Sequence, residues 1–380
     1  MRKRIVFITT TNAVPQRTLL ISRLLGADND VFHICWRRSP VTNLEKEKMY
    51  LIDAGSCTSF AFSAVRMLLR RNFDCAVFSD FRLFPFVLPL CKVKRAKILY
   101  DRQEVPTVTT AERINRMTGI NFDHALSFAE RLENLFCNHS DGILIISLTN
   151  GMEVKISSAK NNTAVVLNTP DTSVQPKPYE IPEIEGKNLI IYSGGISEEM
   201  GLKQYLRLIK KIRTHTDENV HLLLIGHLWT LNEAGLTEII RNEACAEYVT
   251  YKKWIPYDNL LSVLSRAKLG LALFDNTHEK FKHMLRGSSR KIFTYMACGI
   301  PVVTNSPLGD FVSDEGCGIL VDYKNEDEFY RRTVELLKDD ETRRKMGSRG
   351  KDAIHARYNW GRESAKVKLI FENMWKQPSC

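Results

Sequence analysis

The chain has 380 residues, 44% of them hydrophobic, which is long for one ordinary core and ample for two domains of ~150–200 residues each. Its nine cysteines are scattered and form no C-x-x-C pair, which argues against a disulfide framework and a zinc site and points to a reducing, cytoplasmic compartment. A formal charge of +10 calls for an anionic partner, but no zinc-finger, RNP-like or helix-turn-helix signature accompanies it, so nucleic acid is set aside.

From the start, MRKRIVFITTTNAV has a basic head, but its apolar run stops at Ile8; this reads as a first strand and not as a secretory leader. VPQRTLLISRLLG repeats apolar residues at helical spacing up to Gly26. VFHIC, CAVFS, KILYD, GILIIS and AVVLN follow as short apolar strands, with the amphipathic helix DHALSFAERLENLFCNHSD before GILIIS. Between Arg82 and Arg102 the chain reads RLFPFVLPLCKVKRAKILYDR, which sets Phe84, Phe86, Val87 and Leu88 beside Lys92, Lys94, Arg95 and Lys97. That mixture suits either the interface of an anionic bilayer or a buried helix with a solvated basic end. The stretch is too short and too rich in proline to span a membrane.

NTPDTSVQPKPYEIPEIEGKN carries four prolines and almost no apolar periodicity, as a linker does. Beyond it, NLIIYSG, VHLLLIG, YVTYK, LGLALF, IPVVTN and CGILV form a second strand series. Short apolar strands alternating with helices predict two α/β domains with parallel sheets covered on both faces. The expected division is a first domain over residues 1–172, a linker over 173–187, a second domain over 188–356 and a closing helix over 357–380. Doubly wound domains place ligands at the carboxyl ends of their strands, so two facing domains make a cleft.

Chemistry concentrates in the second domain. LIIYSGGISEEMGLKQYL is a strand, a turn at Gly194 and Gly195, and a helix, which lets backbone N–H groups approach an anion. RGSSRKIFTYMACGIPVVTN places Ser288 or Ser289 as the cap of a helix over roughly Arg290 to Cys298. Arg290 and Lys291 then lie in its first turn, where cations oppose the helix dipole unless an anion is nearby. An anion site and a solvated basic loop are the two readings of that feature.

SSRKIFTYMACGIPVVTN resembles the signature of nucleotide-sugar glycosyltransferases with the GT-B fold, in particular the retaining family 4, also called group 1. Lys291, Phe293, Tyr295, Met296, Ala297, Gly299, Pro301, Val302 and Val303 fit it. VPQRTLLISRLL, ILYDRQE, LENLFCNHSDGILIIS, VVLNTPD, YSGGISEEMGLKQYL and KKWIPYDNLLSVLSRAKLGLALF follow in the family's order, so the likeness covers essentially the whole chain. It implies an α/β, GT-B architecture of two facing Rossmann-like doubly wound domains, with YNWGRESAKVKLIFENMW crossing back onto the first. It also implies transfer of a sugar from a nucleotide-diphosphate donor, with no cofactor and no required metal.

The same resemblance implies a donor site built from Gly194, Gly195, His227, Trp254, Ile255, Arg286, Ser288, Ser289, Arg290, Lys291 and Thr294. Thr10, Thr11, Asn12 and Arg17 would contact the acceptor, and Asp101 and Glu104 would orient or deprotonate it, with Lys291 acting on the leaving phosphate; the alternative for Asp101 is a helix or turn cap. Departures are specific. Gly195 and Met200 stand where relatives hold the diphosphate with Arg and Lys, Arg286 and Thr294 replace the two glutamates eight residues apart, and Gln103 replaces a His. Arg286 in that place would suit a uronate donor. The expected activity is transfer to a lipid-linked or polysaccharide acceptor at the inner face of the membrane, docked through Arg82–Lys97. The alternatives are a non-catalytic partner subunit, which the lost glutamates favour, and a GT-B nucleotide-sugar epimerase.

Overall fold

The computed structural model describes residues 2–11, 14–38, 48–103, 106–146, 162–275, 288–306 and 309–376. Contacts divide the chain into two units, Met1–Leu167 with Glu363–Cys380, and Asn168–Arg362.

The first unit runs β1 (Arg4–Thr9), α1 (Gln16–Gly26), β2 (Asp30–Trp36), β3 (Lys48–Ile52), α2 (Cys57–Leu69), β4 (Cys75–Phe78), α3 (Phe84–Lys94), β5 (Lys97–Arg102), α4 (Pro106–Thr118), α5 (Phe122–Asn138), β6 (Gly142–Ile145) and β7 (Thr163–Val165). The strands form a parallel sheet of order β3-β2-β1-β4-β5-β6-β7. β3 was not foreseen, because KMYLI is a short, partly buried edge strand whose run of four apolar residues shows no alternation that marks it as a strand. The central strands are buried on both faces, as Ile5, Val6, Phe7 and Ile8 show.

α3 illustrates how tertiary packing settles an ambiguous stretch. Pro85 occupies its first turn, where the missing N–H costs nothing. Phe84 is fully buried, stacked on Phe136 at 4.8 Å and edge-on to Tyr100 at 4.8 Å. Val87 is buried too. The expected basic patch is partly committed, with Lys97 buried and paired with Asp141 at 2.9 Å, Arg82 paired with Asp80 at 2.6 Å, and Lys94 donating to the carbonyls of Leu69 and Arg71, while Lys92 and Arg95 are exposed. The buried-helix reading therefore holds for most of Arg82–Lys97.

The second unit contains β8 (Asn188–Ser193), α6 (Leu202–His215), β9 (Val220–Ile225), α7 (Glu233–Asn242), β10 (Val249–Lys252), α8 (Tyr257–Leu264), β11 (Leu269–Ala272), α9 (Arg290–Cys298), β12 (Val302–Thr304), α10 (Asp310–Asp314), β13 (Gly318–Leu320), α11 (Glu326–Lys338) and α12 (Asp340–Ala356). Its parallel sheet has the order β10-β9-β8-β11-β12-β13. The proline-rich stretch expected as a linker over 173–187 counts with this unit. Lys177 pairs with Asp258 at 2.7 Å, Asn259 donates to the carbonyl of Pro178 at 3.0 Å, and Ile181 and Ile184 are buried.

The last helix, α13 (Trp360–Lys376), returns to the first unit. Glu363 accepts from the N–H of Leu167 at 2.8 Å, and Asn162 donates to the carbonyl of Ile370 at 2.6 Å. Ile370 and Met374 close over Gly142, where a Cβ would lie only 2.9 Å from Ile370. Among the described residues no helix is long and apolar enough to cross a membrane.

Candidate functional site

In the second unit the strand order reverses between β8 and β11, so the crevice at their carboxyl ends is where a doubly wound sheet binds ligands. Two turns make its floor. Gly194 and Gly226 adopt φ of +142° and +143°, and a Cβ on Gly226 would lie 1.8 Å from the carbonyl oxygen of Gly194. Only glycine tolerates both the backbone conformation and that approach. The turns stay paired beyond the strands, with Gly194 N–H donating to Ile225 and Ile196 N–H to His227. The indole of Trp229 covers Gly195 so closely that a Cβ there would lie 2.1 Å from it.

α9 supplies the opposite wall. Its N-cap is Ser289, as expected, but no side-chain cap bond forms, and the buried Oγ atoms of Ser288 and Ser289 have no hydrogen-bond partner among the described residues. The helix thus presents free N–H groups at its positive end. Lys291, in the first turn, is half-buried and donates to Tyr192 Oη at 2.7 Å. Its ammonium lies 4.1 Å from the Tyr192 ring and 5.2 Å from the Phe274 ring, and among the described residues no carboxylate pairs with it. Burial without an anion pushes the Lys291 ammonium down to about 7. Arg290 packs its guanidinium over Tyr257 at 4.9 Å, and burial lowers its pKa too.

Tyr192 Oη also donates to the carbonyl of Gly195 at 2.5 Å, so one hydroxyl ties the cation to the glycine turn. Tyr295 holds the strands beneath: its hydroxyl accepts from the N–H of Ser193 at 2.7 Å and donates to the carbonyl of Leu271 at 3.3 Å. Its ring fills the space left by Gly270, where a Cβ would lie 2.5 Å away. Sequence reasoning singled out Lys291 but missed Tyr192, Trp229 and Phe274, whose roles depend on contacts between segments far apart in the chain.

The remaining donor candidates divide. His227 and Trp254 are exposed and Ile255 is buried, the latter two following β10. Thr294 is buried, 4% exposed, and its hydroxyl donates back to the carbonyl of Arg290 at 3.0 Å. That bond is the usual fate of a Thr inside a helix, so Thr294 is a poor substitute for a ribose-binding carboxylate. Gly195 lies under Trp229 and Met200 is buried, so the two positions that carry diphosphate cations in relatives carry none here. Arg286 lies outside the described residues, as do Asn12 and Glu104.

In the first unit, Asp101 and Arg17 are not presented to a ligand. They are 2% and 3% exposed and joined by Arg17 Nε to Asp101 Oδ1 at 2.9 Å, while Arg17 Nη1 donates to the carbonyl of Val166 at 2.5 Å. The pair ties β5 and α1 to the strand end after β7, which corrects the expected roles in proton transfer and acceptor contact. Gln103 donates to Asp101 Oδ2 at 2.7 Å and to Thr18 at 2.9 Å. Thr10 lines a cavity of about 630 Å³ at the carboxyl ends of β1 and β4, where this sheet's order reverses, and Thr11 follows it in the same loop. Among the described residues no cluster of His, Cys, Asp or Glu has the arrangement of a metal site.

Residues 175–353 match the family model described as glycosyl transferases group 1. No curated protein sequence matches the chain. Sucrose-phosphate synthase from Thermosynechococcus elongatus is similar in structure, with a TM-score of 0.75 and 14% identity over 99% of this chain and 100% of that one. Anabaena HepE in complex with UDP-glucose has a TM-score of 0.71 and 13% identity over 99% and 100%. WaaG, a glycosyltransferase involved in lipopolysaccharide biosynthesis, has a TM-score of 0.68 and 10% identity over 96% and 99%. The signature at Ser288 to Asn305, the two parallel doubly wound sheets and the returning helix agree with these matches. The chain has the GT-B fold of these structures, and its residues 175–353 are similar to group 1 glycosyl transferases.

Proposed function

We propose that the chain transfers a glycosyl unit from a uridine-diphosphate sugar to a glycan or lipid-linked acceptor, with retention at the anomeric carbon and without a metal. The observation that carries this is the Lys291 ammonium, held without a carboxylate partner among the described residues between the glycine turn and a helix end with no side-chain cap. A cation left without an anion at the N-terminus of a helix is costly unless the ligand supplies the negative charge. A diphosphate does so, and HepE, similar in fold, is known in complex with UDP-glucose.

In the reaction the bond from the anomeric carbon to the β-phosphate oxygen breaks, and the electron pair leaves with the nucleoside diphosphate. A new bond forms to an acceptor hydroxyl, which loses its proton. Lys291 and the N–H groups at the start of α9 act on the leaving oxygens, where charge develops, and the glycine turn beside them leaves room for the diphosphate. Trp229 and Trp254, about half exposed, offer flat surfaces for the base.

For docking to the membrane that would carry a lipid-linked acceptor, the proposed surface is on α2 and α3. Phe62, Leu69 and Val93 are 62%, 55% and 79% exposed, Phe62 meets Phe86 at 5.0 Å, and neither helix contains an acidic residue. With Arg66, Arg70 and Lys92 exposed beside them, this face fits an anionic bilayer better than the Arg82–Lys97 segment taken alone.

A non-catalytic partner subunit remains the second reading, favoured by Thr294 bonding within its own helix where relatives carry a glutamate. Calorimetric titration with UDP, followed by a hydrolysis panel of UDP-glucose, UDP-glucuronate and other nucleotide sugars, separates them. Micromolar UDP binding with slow release of one sugar supports transfer. UDP binding without turnover of any sugar supports the partner subunit, and no UDP binding overturns the donor site.

A further inference from the structure

The cavity in the first unit carries a charge and hydrogen-bonding pattern that the transfer reaction alone does not require. We infer that it is a binding site for an anionic saccharide, one bearing a carboxylate or a phosphate, with Arg113 meeting the charge and the carbonyl oxygen of Gln103 accepting a sugar hydroxyl. This rests on the reading of the chain as a sugar transferase and names the chemistry of its acceptor.

The charged residues lining the cavity are Asp80, Arg82 and Arg113. Arg82 is committed: Nε and Nη2 donate to the two oxygens of Asp80 at 2.9 and 2.6 Å, and its backbone N–H donates to Oδ1 at 3.0 Å. Although burial opposes it, these bonds hold the Asp80 carboxyl below its ordinary value, so the pair is ionised and internally neutral. Arg113 is exposed on α4 and has no ion pair or hydrogen bond among the described residues. One negative and two positive groups leave a net charge of +1 on the wall, carried by Arg113. The planar fork of a guanidinium suits carboxylate and phosphate oxygens.

Gln103 supplies the second element. Its amide nitrogen faces two oxygens, Asp101 Oδ2 at 2.7 Å and Thr18 Oγ1 at 2.9 Å, and Asp101 Oδ1 already accepts from Arg17. Both Nε2 hydrogens are therefore used, one on Asp101 Oδ2 and one on Thr18 Oγ1. Among the described residues nothing donates to the amide oxygen, and Gln103 lines the cavity, so the oxygen is the group offered to a sugar hydroxyl. Thr109 and Thr110 add hydroxyls, and Ile114 and Met117 add apolar surface for the C–H face of a ring. Arg17 and Asp101 are positioning residues in this account, acting through Gln103.

The test uses the full chain in ligand-observed NMR titrations with glucuronic acid, glucose 6-phosphate and methyl glucoside, with UDP titrated in parallel. At least one of the two anionic sugars should bind about tenfold more tightly than methyl glucoside, and the tighter of the two identifies the carboxylate or the phosphate. Arg113→Gln, an exposed substitution, should reduce that sugar to the affinity of the neutral one. Gln103→Met should weaken all three sugars while leaving the preference for charge. Equal binding of charged and neutral sugars, no binding of either anion, or a preference that survives Arg113→Gln overturns the inference. UDP binding reports on the second unit, so its failure alone counts against the donor site and not against this cavity.

Discussion

Lys291 makes a prediction in which pH, affinity and stability are linked. In the free protein burial holds its ammonium at about 7, so above that pH the amine is increasingly neutral. A diphosphate beside it favours the charged form and raises the pKa, so binding above pH 7 takes up a proton. The dissociation constant for UDP should therefore rise roughly 25-fold between pH 6.5 and 8.5, provided the pKa in the complex exceeds about 8.5. Lys291→Met should weaken UDP at pH 6.5 by about 10- to 100-fold, the range of a charge-assisted bond, and remove the pH slope. Stability moves the other way. The folded pKa lies below the ordinary 10.5, so wild-type stability should rise from pH 7 towards 10.5 as the folded chain holds fewer protons, and Lys291→Met should lack this rise. Calorimetry at three pH values and urea titrations give both readouts. A wild-type affinity that is flat with pH, together with an unchanged affinity in the variant, would refute Lys291 as the phosphate group.

Three further outcomes follow from specific contacts. Gly226→Ala forces a Cβ to within 1.8 Å of the Gly194 carbonyl at a φ of +143°; it should cost roughly 2–4 kcal/mol in urea denaturation and weaken UDP with it, and an unchanged midpoint would show that the turns do not touch. Asp101→Asn leaves the Arg17 guanidinium buried without its carboxylate; a loss of about 3–5 kcal/mol is expected, whereas an activity loss with full stability would restore Asp101 to the chemistry. Replacing Phe62 and Val93 together by Ser should reduce sedimentation with liposomes containing anionic lipid without changing the UDP dissociation constant; unchanged sedimentation removes that face as the docking surface.

How much was legible varies with the kind of signal. Alternating apolar strands and helices showed two parallel α/β sheets, and the signature around Lys291 pointed to the proposed donor region, because both are written in local spacing. The extent of α9 was readable from Ser289 and Cys298, yet the missing cap bond was not, since a Ser in that position normally makes one. β3 escaped because a run of four apolar residues without alternation reads equally as strand or helix, and only its pairing with β2 decides it.

The sequence by itself determined the architecture and the type of donor chemistry: the order of apolar runs dictates a doubly wound sheet, and cations at a helix start ask for an anion. Only tertiary structure decided which charges are available. Asp101 and Arg17 look equally functional in the chain, yet they neutralise each other in the interior, while Lys291 and Arg113 keep theirs unpaired among the described residues. The reason is that burial and pairing depend on residues tens of positions apart, such as Arg17 and Asp101 or Tyr192 and Lys291, meeting only when the sheets close.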